Sequence, residues 1–415
     1  MSKQNSIKAV SIFSGAGGLD IGFEMAGFHI QSALEIHPSY YKTLIENRGK
    51  RIQIGTSGRY FLENATILNE DIRNINARDL SAELDCDCLI GGPPCQAFSS
   101  AGKMDSIFDS RGQLIYEYLR ILSELRPKTF LFENVRGLVT ARGTKNEPGE
   151  ILIELLHLFE DVGYSCRVSL LNSADYGSYQ RRVRCFILGS RIAAAPFFPA
   201  TTHSKDGDNM SLFGAEKSKW NSLGDFLSKY GSQDPTEWTL PTEALREQLV
   251  GIENGKGIRS KGRAEATRPN GHWGYRQGTF IADPCLPART VTGSSSQDWV
   301  RMADGTLRRL TLREVAKLQG FPDEWVFCGS KSDQFQQVGN AVPTIFGEVL
   351  GRLLADYLLG DYMTYPDKNE LALPRNIIEN ISYTKRDNEI NGAYRARSAR
   401  KIDEPQNHII VPRSV

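Results

Sequence analysis

The amino-acid sequence predicts a doubly wound α/β fold built on a mostly parallel sheet. Through the first half of the chain, short β-rich runs alternate with segments of helical periodicity, the pattern of repeated βαβ units. Glycine, proline and acidic residues directly follow several of these runs. Because ligands bind beyond the carboxyl ends of the strands in such a sheet, this fold predicts a binding site where these residues gather.

Five strands are predicted from β-rich runs that end at unusual residues. The runs are "KAVSIF" ending at Phe13, "QSALE" ending at Glu35, "ATILNEDI" ending near Asp71, "DCLIGG" before the prolines, and "KTFLFEN" ending at Glu133. Between the fourth and fifth runs a helix is predicted, because apolar residues recur at helical spacing before Pro127: Leu114, Tyr118, Leu122 and Leu125.

Composition narrows the class of protein. With 415 residues, of which 40% are hydrophobic, the chain can bury a sizeable core and is long enough for two domains. No apolar run approaches the ~20 residues of a membrane span, so we expect a cytoplasmic protein without membrane contact. Seven cysteines argue against a disulfide framework, and Cys86-x-Cys88 lacks a second cluster to complete a metal site. Because the formal net charge of the chain is +1, any surface that binds nucleic acid must be a local patch of basic residues.

The Gly-rich stretch "FSGAGGLDIGF" after the first predicted strand indicates a turn whose backbone amides contact a ligand, although a tight turn without a ligand would look similar. A dinucleotide fingerprint starting at Gly15 needs a third glycine at position 20, where this chain has Asp20. Glu35 lies where an acid can bind a ribose diol, and Asp71 on the next strand can reach an adenine amino group. These residues predict a pocket that binds adenosine but lacks a binding site for a pyrophosphate. This absence disfavours an NAD-dependent oxidoreductase.

The stretch "GGPPCQ" places Cys95 in a rigid frame at the end of the fourth predicted strand. Proline fixes the chain path and glycine lets another molecule approach closely. A merely structural cysteine would not need this frame, so Cys95 is a candidate reactive residue.

Together these motifs resemble the DNA (cytosine-5) methyltransferase family, of the bacterial type II modification type. The resemblance rests on "FSGAGG", "GGPPCQAFS", "FENVRG", "QRRVR", "RRLTLREVAKLQGFP" and "QVGNAVP", in the family's order. It implies a fold of the S-adenosylmethionine-dependent methyltransferase type with a smaller irregular target-recognition domain. The implied cofactor is S-adenosyl-L-methionine, with S-adenosyl-L-homocysteine as product, and its implied site comprises Phe13, Ser14, Gly15, Ala16, Gly17, Gly18, Glu35, Ile36, Asp71, Ile72, Pro94, Leu114, Asn340 and Val342.

The resemblance also implies the catalytic residues. Cys95 would add as a thiolate to C6 of a flipped-out cytosine, which makes C5 nucleophilic. Glu133, which alone would read as a surface acid, would protonate or hydrogen-bond ring N3 and the exocyclic amine. Arg182 and Arg184 would lie beside the base, with Arg184 on the ring carbonyl oxygen. No histidine falls in a matching motif, so a bound water is one candidate for the base that removes the C5 proton.

The remaining divisions of the chain follow from where the βα pattern stops. We expect a catalytic and cofactor-binding domain over residues 1–189, a target-recognition domain over 190–305, a return segment over 306–360 that completes the catalytic domain, and a partly disordered C-terminal extension over 361–415. The segment from Gly255 to Leu310 contains ten basic and four acidic residues. This excess of positive charge suits contact with DNA phosphates, although a solvent-exposed surface without a partner would look similar. DNA contacts are expected at Gln96, Ser99, Arg276 and Arg289.

Several readings of the function remain open at this stage. The expected substrate is double-stranded DNA, with a cognate restriction endonuclease as functional partner and the protein itself a monomer; a solitary regulatory enzyme fits the same residues. The alternatives are an RNA cytosine-5 methyltransferase and a DNA-binding relative without catalysis. Retention of Cys95, Glu133 and Arg184 argues against the last of these.

Overall fold

The computed structural model describes residues 7–51, 60–94, 113–207, 216–258, 279–366 and 371–386. Within them, seven strands form one sheet in the order β3-β2-β1-β4-β5-β7-β6, and all neighbours pair in parallel except β7. The strands are β1 (Ile7–Ile12), β2 (Phe28–Leu34), β3 (Thr66–Leu68), β4 (Cys88–Gly91), β5 (Thr129–Val135), β6 (Ser165–Asn172) and β7 (Val183–Ser190). The predicted doubly wound, mostly parallel α/β fold is confirmed.

Helices cover both faces of this sheet. Those from the first half of the chain are α1 (Gly18–Met25), α2 (Pro38–Asn47), α3 (Ala77–Leu80), α4 (Gln113–Leu125) and α5 (Glu150–Asp161). The apolar spacing that predicted α4 buries Tyr118, Leu122 and Leu125 against the sheet, together with Phe159 of α5. A strand buried on both faces needs an almost continuous apolar run, as "CLIG" of β4 has.

One edge of the sheet departs from the parallel pattern. Strand β7 inserts between β5 and β6 and runs antiparallel to both. The start of β7 therefore lies beside the carboxyl ends of β5 and β6. There, Arg184 pairs with Val135 of β5 and with Leu171 of β6. This reversal brings the "QRRVR" segment to the edge at which the other strands end.

The described residues between 200 and 310 form short, irregularly spaced elements. It contains the short strands β8 (His203–Ser204), β9 (Ser218–Lys219), β10 (Trp299–Arg301) and β11 (Leu307–Arg309), and the helices α6 (Leu223–Tyr230) and α7 (Glu243–Leu249). Leu249, Ile281 and Trp299 form a small core of their own.

The chain then returns to the main sheet through α8 (Leu312–Leu318), α9 (Lys331–Asn340) and α10 (Thr344–Leu359). Glycines allow α10 to lie against α1: a Cβ on Gly347 would come within 2.6 Å of the Leu19 carbonyl oxygen. A further helix over residues 375–386 follows. In the part of the chain that the structure describes, no helix is both long and apolar enough to cross a membrane.

Candidate active site

The turn between β1 and α1 has an unusual backbone. Phe13, Gly15 and Gly17 have φ values of +57°, +61° and +85°, in the left-handed region. Glycine adopts this region freely, whereas a residue with a side chain is strained there, and such strain clusters at ligand sites. The Gly15 amide donates to Oε2 of Glu35 over 2.8 Å, so the turn is tied to the end of β2.

Close packing explains two glycines of this turn. A Cβ on Gly17 would lie 2.7 Å from Cζ of Phe61, and one on Gly18 would overlap the carbonyl oxygen of Val342. The segment between α9 and α10 therefore lies directly against the Gly-rich turn, although more than 300 residues separate them in sequence.

Glu35 and Ile36 follow β2 with opposite exposures. Glu35 is 7% exposed and its Oε1 accepts from the His37 amide over 2.7 Å, while the Ile36 side chain is 57% exposed. Burial raises the pKa of Glu35, and hydrogen bonds from the His37 and Gly15 amides oppose the rise. Nδ2 of Asn69 donates to the carbonyl oxygens of Glu35 and Ile36 over 2.8 and 2.9 Å, which fixes this loop. An anchored carboxylate beside an exposed apolar side chain suits a ribose and a flat ring.

Asp71 follows β3 but not as the last residue of the strand. β3 ends at Leu68, and the Asp71 side chain caps a 3-10 helix over Ile72–Asn74. Nε of Arg73 donates to Oδ1 of Asp71 over 3.0 Å, and this side-chain hydrogen bond lowers the pKa of the carboxyl. The Ile72 side chain is buried in the core, and its carbonyl oxygen accepts from Nη2 of Arg120 over 2.8 Å.

Asp20 occupies the first turn of α1 and is fully buried. Burial raises the pKa of Asp20 to about 7, and the nearby Ser11 hydroxyl opposes part of the rise. At this position, where a dinucleotide fingerprint has glycine, the chain thus holds an acid that is partly protonated near neutral pH.

Glu133 and Arg184 form an ion pair on neighbouring strands at the edge where β5 ends. Nε of Arg184 lies 3.1 Å from Oε1 of Glu133, and both side chains are largely buried. Burial raises the pKa of Glu133, while the charges of Arg184 and Arg182 oppose the rise. A buried carboxyl with a raised pKa can act as a proton donor near neutral pH.

The Glu133 carboxyl lies against the backbone that leads to Cys95. A Cβ on Gly92 would come within 2.5 Å of Oε2 of Glu133, so any side chain at this position would force the carboxyl to move. The next residue along β5, Asn134, is also buried and its Nδ2 donates to the Pro93 carbonyl oxygen over 3.3 Å. The two ends of β4 and β5 are thereby joined by side-chain contacts.

Arg182 is 1% exposed and bonds to backbone carbonyl oxygens. Its Nη1 donates to Val291 over 2.8 Å, and its Nη2 donates to Gly339 over 2.6 Å and to Ala341 over 3.0 Å. These contacts join the segment before β7, the loop before β10 and the segment before α10.

Comparison with known proteins identifies the family. The family model "C-5 cytosine-specific DNA methylase" matches residues 7–355. The chain belongs to this family. This methylase is 32% identical over 343 residues to the type II methyltransferase M.NgoPII of Neisseria gonorrhoeae, covering 82% of this chain and 92% of the relative. It is 34% identical over 365 residues to the type II methyltransferase M.Sau96I of Staphylococcus aureus, covering 86% and 77%.

Solved structures show the same fold. The Entamoeba histolytica methyltransferase EhMeth superimposes with a TM-score of 0.58 at 16% identity, covering 86% of this chain and 99% of that one. Schizosaccharomyces pombe Dnmt2 gives a TM-score of 0.57 at 17% identity, covering 84% and 98%. The methylase is therefore a DNA (cytosine-5-)-methyltransferase with the fold of the S-adenosylmethionine-dependent enzymes.

Most predicted cofactor residues of the methylase lie near one edge of the sheet. Ser14 and Ala16 are buried within the Gly-rich turn, and Pro94 is exposed after β4. Leu114, in the first turn of α4, packs against the core. Asn340 is exposed at the end of α9, where its Nδ2 donates to the Tyr40 hydroxyl over 3.3 Å.

Other predicted residues of the methylase cannot be placed. Cys95, Gln96, Ser99 and Arg276 lie outside the described residues. Arg289 is described: its Nε lies 3.2 Å from Oδ2 of Asp298 and its guanidinium stacks over the Phe280 ring at 4.1 Å. Among the described residues, no group of three or more His, Cys, Asp or Glu side chains could hold a metal ion.

Sequence reasoning missed two residues that shape this edge in the methylase. Asn134 follows Glu133 on an apolar strand, and a polar side chain in the run "TFLFENV" was a signal that it has a buried partner. Gln180 was also missed: its Nε2 donates to Oε1 of Gln319 over 2.8 Å, and its Oε1 accepts from the Val291 amide over 2.8 Å. Gln180 is the first residue of the "QRRVR" motif, but its partners could not be predicted because they are distant in the chain.

Proposed function

We propose that this methylase transfers the methyl group of S-adenosyl-L-methionine to C5 of a flipped-out cytosine in a specific duplex DNA sequence, through a covalent bond between Cys95 and C6. One observation carries the proposal most strongly: the buried Glu133 carboxyl, ion-paired with Arg184, lies against Gly92 in the run that leads to Cys95. A candidate proton donor and a cation thus lie beside Gly92, three residues before the candidate nucleophile in the sequence.

The residues beyond β1 to β3 fit the cofactor. Glu35 would accept from the ribose hydroxyls, the exposed Ile36 side chain would contact the adenine ring, and Asp71 would accept from the adenine amino group. The Gly-rich turn from Phe13 to Gly18 would leave backbone amides for the amino-acid part. When bound, the cofactor supplies an electrophilic methyl group.

The chemistry asked of the chain follows from cytosine itself. The Cys95 thiolate would form a bond to C6 as the electron pair of the C5–C6 double bond moves to C5. C5 would then take the methyl group, and the S–CH3 bond would break to release S-adenosyl-L-homocysteine. Glu133 donates a proton or hydrogen bond at N3 as negative charge develops, and Arg184 binds the carbonyl oxygen. Loss of the C5 proton to a base, for which a bound water is our candidate, returns the electrons to the ring and expels Cys95.

The substrate and biological setting are inferred from the family and the relatives. The relatives named above are type II methyltransferases, which supports a modification enzyme that protects DNA from a cognate restriction endonuclease. Recognition of the DNA sequence is assigned to residues 190–305, and we expect the enzyme to act as a monomer in the cytoplasm. Methylation assays on matched DNA and RNA separate this function from an RNA cytosine-5 methyltransferase.

A mechanism-based substrate tests the proposed role of Cys95. Fluorine at C5 cannot leave as a cation, so an oligonucleotide with 5-fluorocytosine at the target should form a denaturation-resistant adduct, only when S-adenosyl-L-methionine is present. The target is first located by bisulfite sequencing of DNA from cells that express the enzyme. Peptide mapping should place the adduct on Cys95, and Cys95→Ser should give none, because a serine hydroxyl is a far weaker nucleophile.

The exposed Cys285 provides the internal control for this experiment. Alkylation or disulfide chemistry unrelated to the mechanism would label Cys285, because its thiol is accessible. An adduct on Cys285, or methyl transfer that survives in Cys95→Ala, contradicts the proposed nucleophile.

A further inference from the structure

The helix over residues 375–386 lies beyond the segment that matches the family, which ends at residue 355. It nevertheless packs on the catalytic sheet. Ile377 is fully buried in the same core cluster as Phe159 and Val168, and Ile381 lies against Gly149, whose Cβ would come within 2.7 Å of its Cδ1. This helix is therefore an integrated part of the main domain.

Two asparagines one helical turn apart connect this helix to two different strands. Nδ2 of Asn376 donates to the Leu170 carbonyl oxygen of β6 over 3.1 Å. Oδ1 of Asn380 accepts from Nη2 and Nε of Arg136 over 2.7 and 3.2 Å. Arg136 is the residue that directly follows β5. Asn380 is buried, and its own Nδ2 donates to the Asn376 carbonyl oxygen over 2.7 Å.

Strand β7 lies between the two strands that this helix connects. Its residue Arg184 pairs with Val135, the last residue of β5, and with Leu171, the neighbour of Leu170 on β6. The same arginine holds the Glu133 carboxyl. The helix thus contacts Arg136 and Leu170, the chain neighbours of the two residues that pair with Arg184.

We propose that residues 371–386 act as a staple across the ends of β5 and β6, and that Asn380 is a positioning residue which acts through Arg136. The ends of strands fray more easily than their centres. Fraying at Val135 would break the backbone pairing between Val135 and Arg184. It would also displace the carboxyl of Glu133, which lies two residues before Val135 on the same strand. Displacing a catalytic group by about 1 Å can cost ~10²-fold in rate. The inference rests on the proposed function of Glu133.

The experiment compares three variants of the full chain with the wild type. Asn380→Leu removes the acceptor oxygen that Asn380 offers to Arg136. Asn380→Asp keeps an acceptor oxygen at this place and loses the bond that Nδ2 donates to the Asn376 carbonyl oxygen. Ile30→Val removes one buried methyl group in β2, in the other half of the sheet, as a control for lost stability. Single-turnover methyl transfer, S-adenosyl-L-methionine affinity and the melting temperature are measured for each.

We expect Asn380→Leu to lower the single-turnover rate about tenfold, since a partial displacement costs less than the ~10²-fold of a full ångström, with unchanged cofactor affinity. Asn380→Asp should retain the rate within about threefold, because the charge-assisted contact to Arg136 persists. Ile30→Val should retain the wild-type rate. Arg136→Met removes the same contact from the other side and serves if Asn380→Leu does not fold.

Three outcomes overturn the staple: a wild-type rate in folded Asn380→Leu, an equal loss in Asn380→Asp, or an equal loss in Ile30→Val. Measuring Glu133→Gln in parallel separates the two proposals. If Glu133→Gln is inactive while Asn380→Leu is normal, only the staple fails. If both are normal, the proposed function of Glu133 fails first.

Discussion

Replacing Gly92 by alanine tests the geometry of the site most directly. The Cβ would lie 2.5 Å from Oε2 of Glu133, whereas ordinary contacts begin at 3.4 Å, so the carboxyl must move by the difference, about 0.9 Å. Gly92 does not have a left-handed backbone, so alanine introduces no backbone strain of its own. The new Cβ would also lie 3.2 Å from the Glu133 carbonyl oxygen, so the closest contacts of the substitution are all with this one residue.

The size of the effect follows from what moves. The end of a glutamate side chain can rotate away, so we expect Gly92→Ala to lower the free energy of unfolding by only about 1 kcal/mol, at the low end for overpacking. Catalysis should suffer more. Moving the carboxyl by about 0.9 Å lengthens its 3.1 Å contact with Arg184, and a displacement of this size can lower the rate ~10²-fold.

The assay is single-turnover methyl transfer to unmethylated DNA, with calorimetry for cofactor affinity and urea unfolding for stability. Gly143→Ala is the matched control, because its Cβ would also meet a glutamate carboxyl, 2.8 Å from Oε1 of Glu150, away from the ends of β4 and β5. We expect Gly143→Ala to transfer methyl groups normally. A rate for Gly92→Ala within threefold of wild type, in a folded protein, would refute the proposed role of the Glu133 position.

Three further predictions concern the cofactor site, the buried arginine and pH. Glu35→Ala should weaken S-adenosyl-L-methionine binding roughly ten- to a hundredfold in calorimetry, since losing a hydrogen bond to a charged group costs ~1.5 to 3 kcal/mol; unchanged affinity would remove Glu35 from the site. Arg182→Met should lower the free energy of unfolding by about 3 kcal/mol, because the carbonyl oxygens of Val291 and Gly339 lose the bonds from Arg182 and that of Ala341 keeps only its bond from Gln319, whereas Arg184→Met should chiefly lower the rate; the reverse pattern would exchange their roles. Asp20 has its pKa raised from 3.8 to about 7, so the folded state holds this proton more tightly. Its contribution to stability is therefore largest at low pH and falls as the pH rises from about 4 to 7. Urea unfolding should show that the free energy of unfolding depends less steeply on pH in Asp20→Asn than in the wild type. An equal dependence on pH in the two proteins would contradict a raised pKa at Asp20.

The local sequence determined the alternating elements and the chemistry of their ends. Helical spacing in α4 and the apolar runs of β1, β4 and β5 follow from contacts between near neighbours in the chain, so they could be predicted. The positions of Glu35 and Glu133 were also predictable, because the carboxyl ends of parallel strands lie at the same end of the sheet wherever each strand sits. The extent of β3 was less predictable, since the capping of Ile72–Asn74 by Asp71 ended it early.

What only the tertiary structure decided depends on contacts between distant segments. The family resemblance predicts both Arg182 and Arg184 beside the base, yet Arg182 bonds to carbonyl oxygens more than 100 residues away while Arg184 meets Glu133 across a strand pair. The difference arises because Arg182 lies just before β7, which begins at Val183, whereas Arg184 lies within β7 and is brought beside β5 by the antiparallel pairing of these strands. Likewise, the segment after residue 361 has no clear period in sequence, and the burial of Ile377 became visible only where β6 and Arg136 supply its partners. Hydrophobic spacing encodes which elements form, whereas the packing of remote elements decides which polar side chains meet.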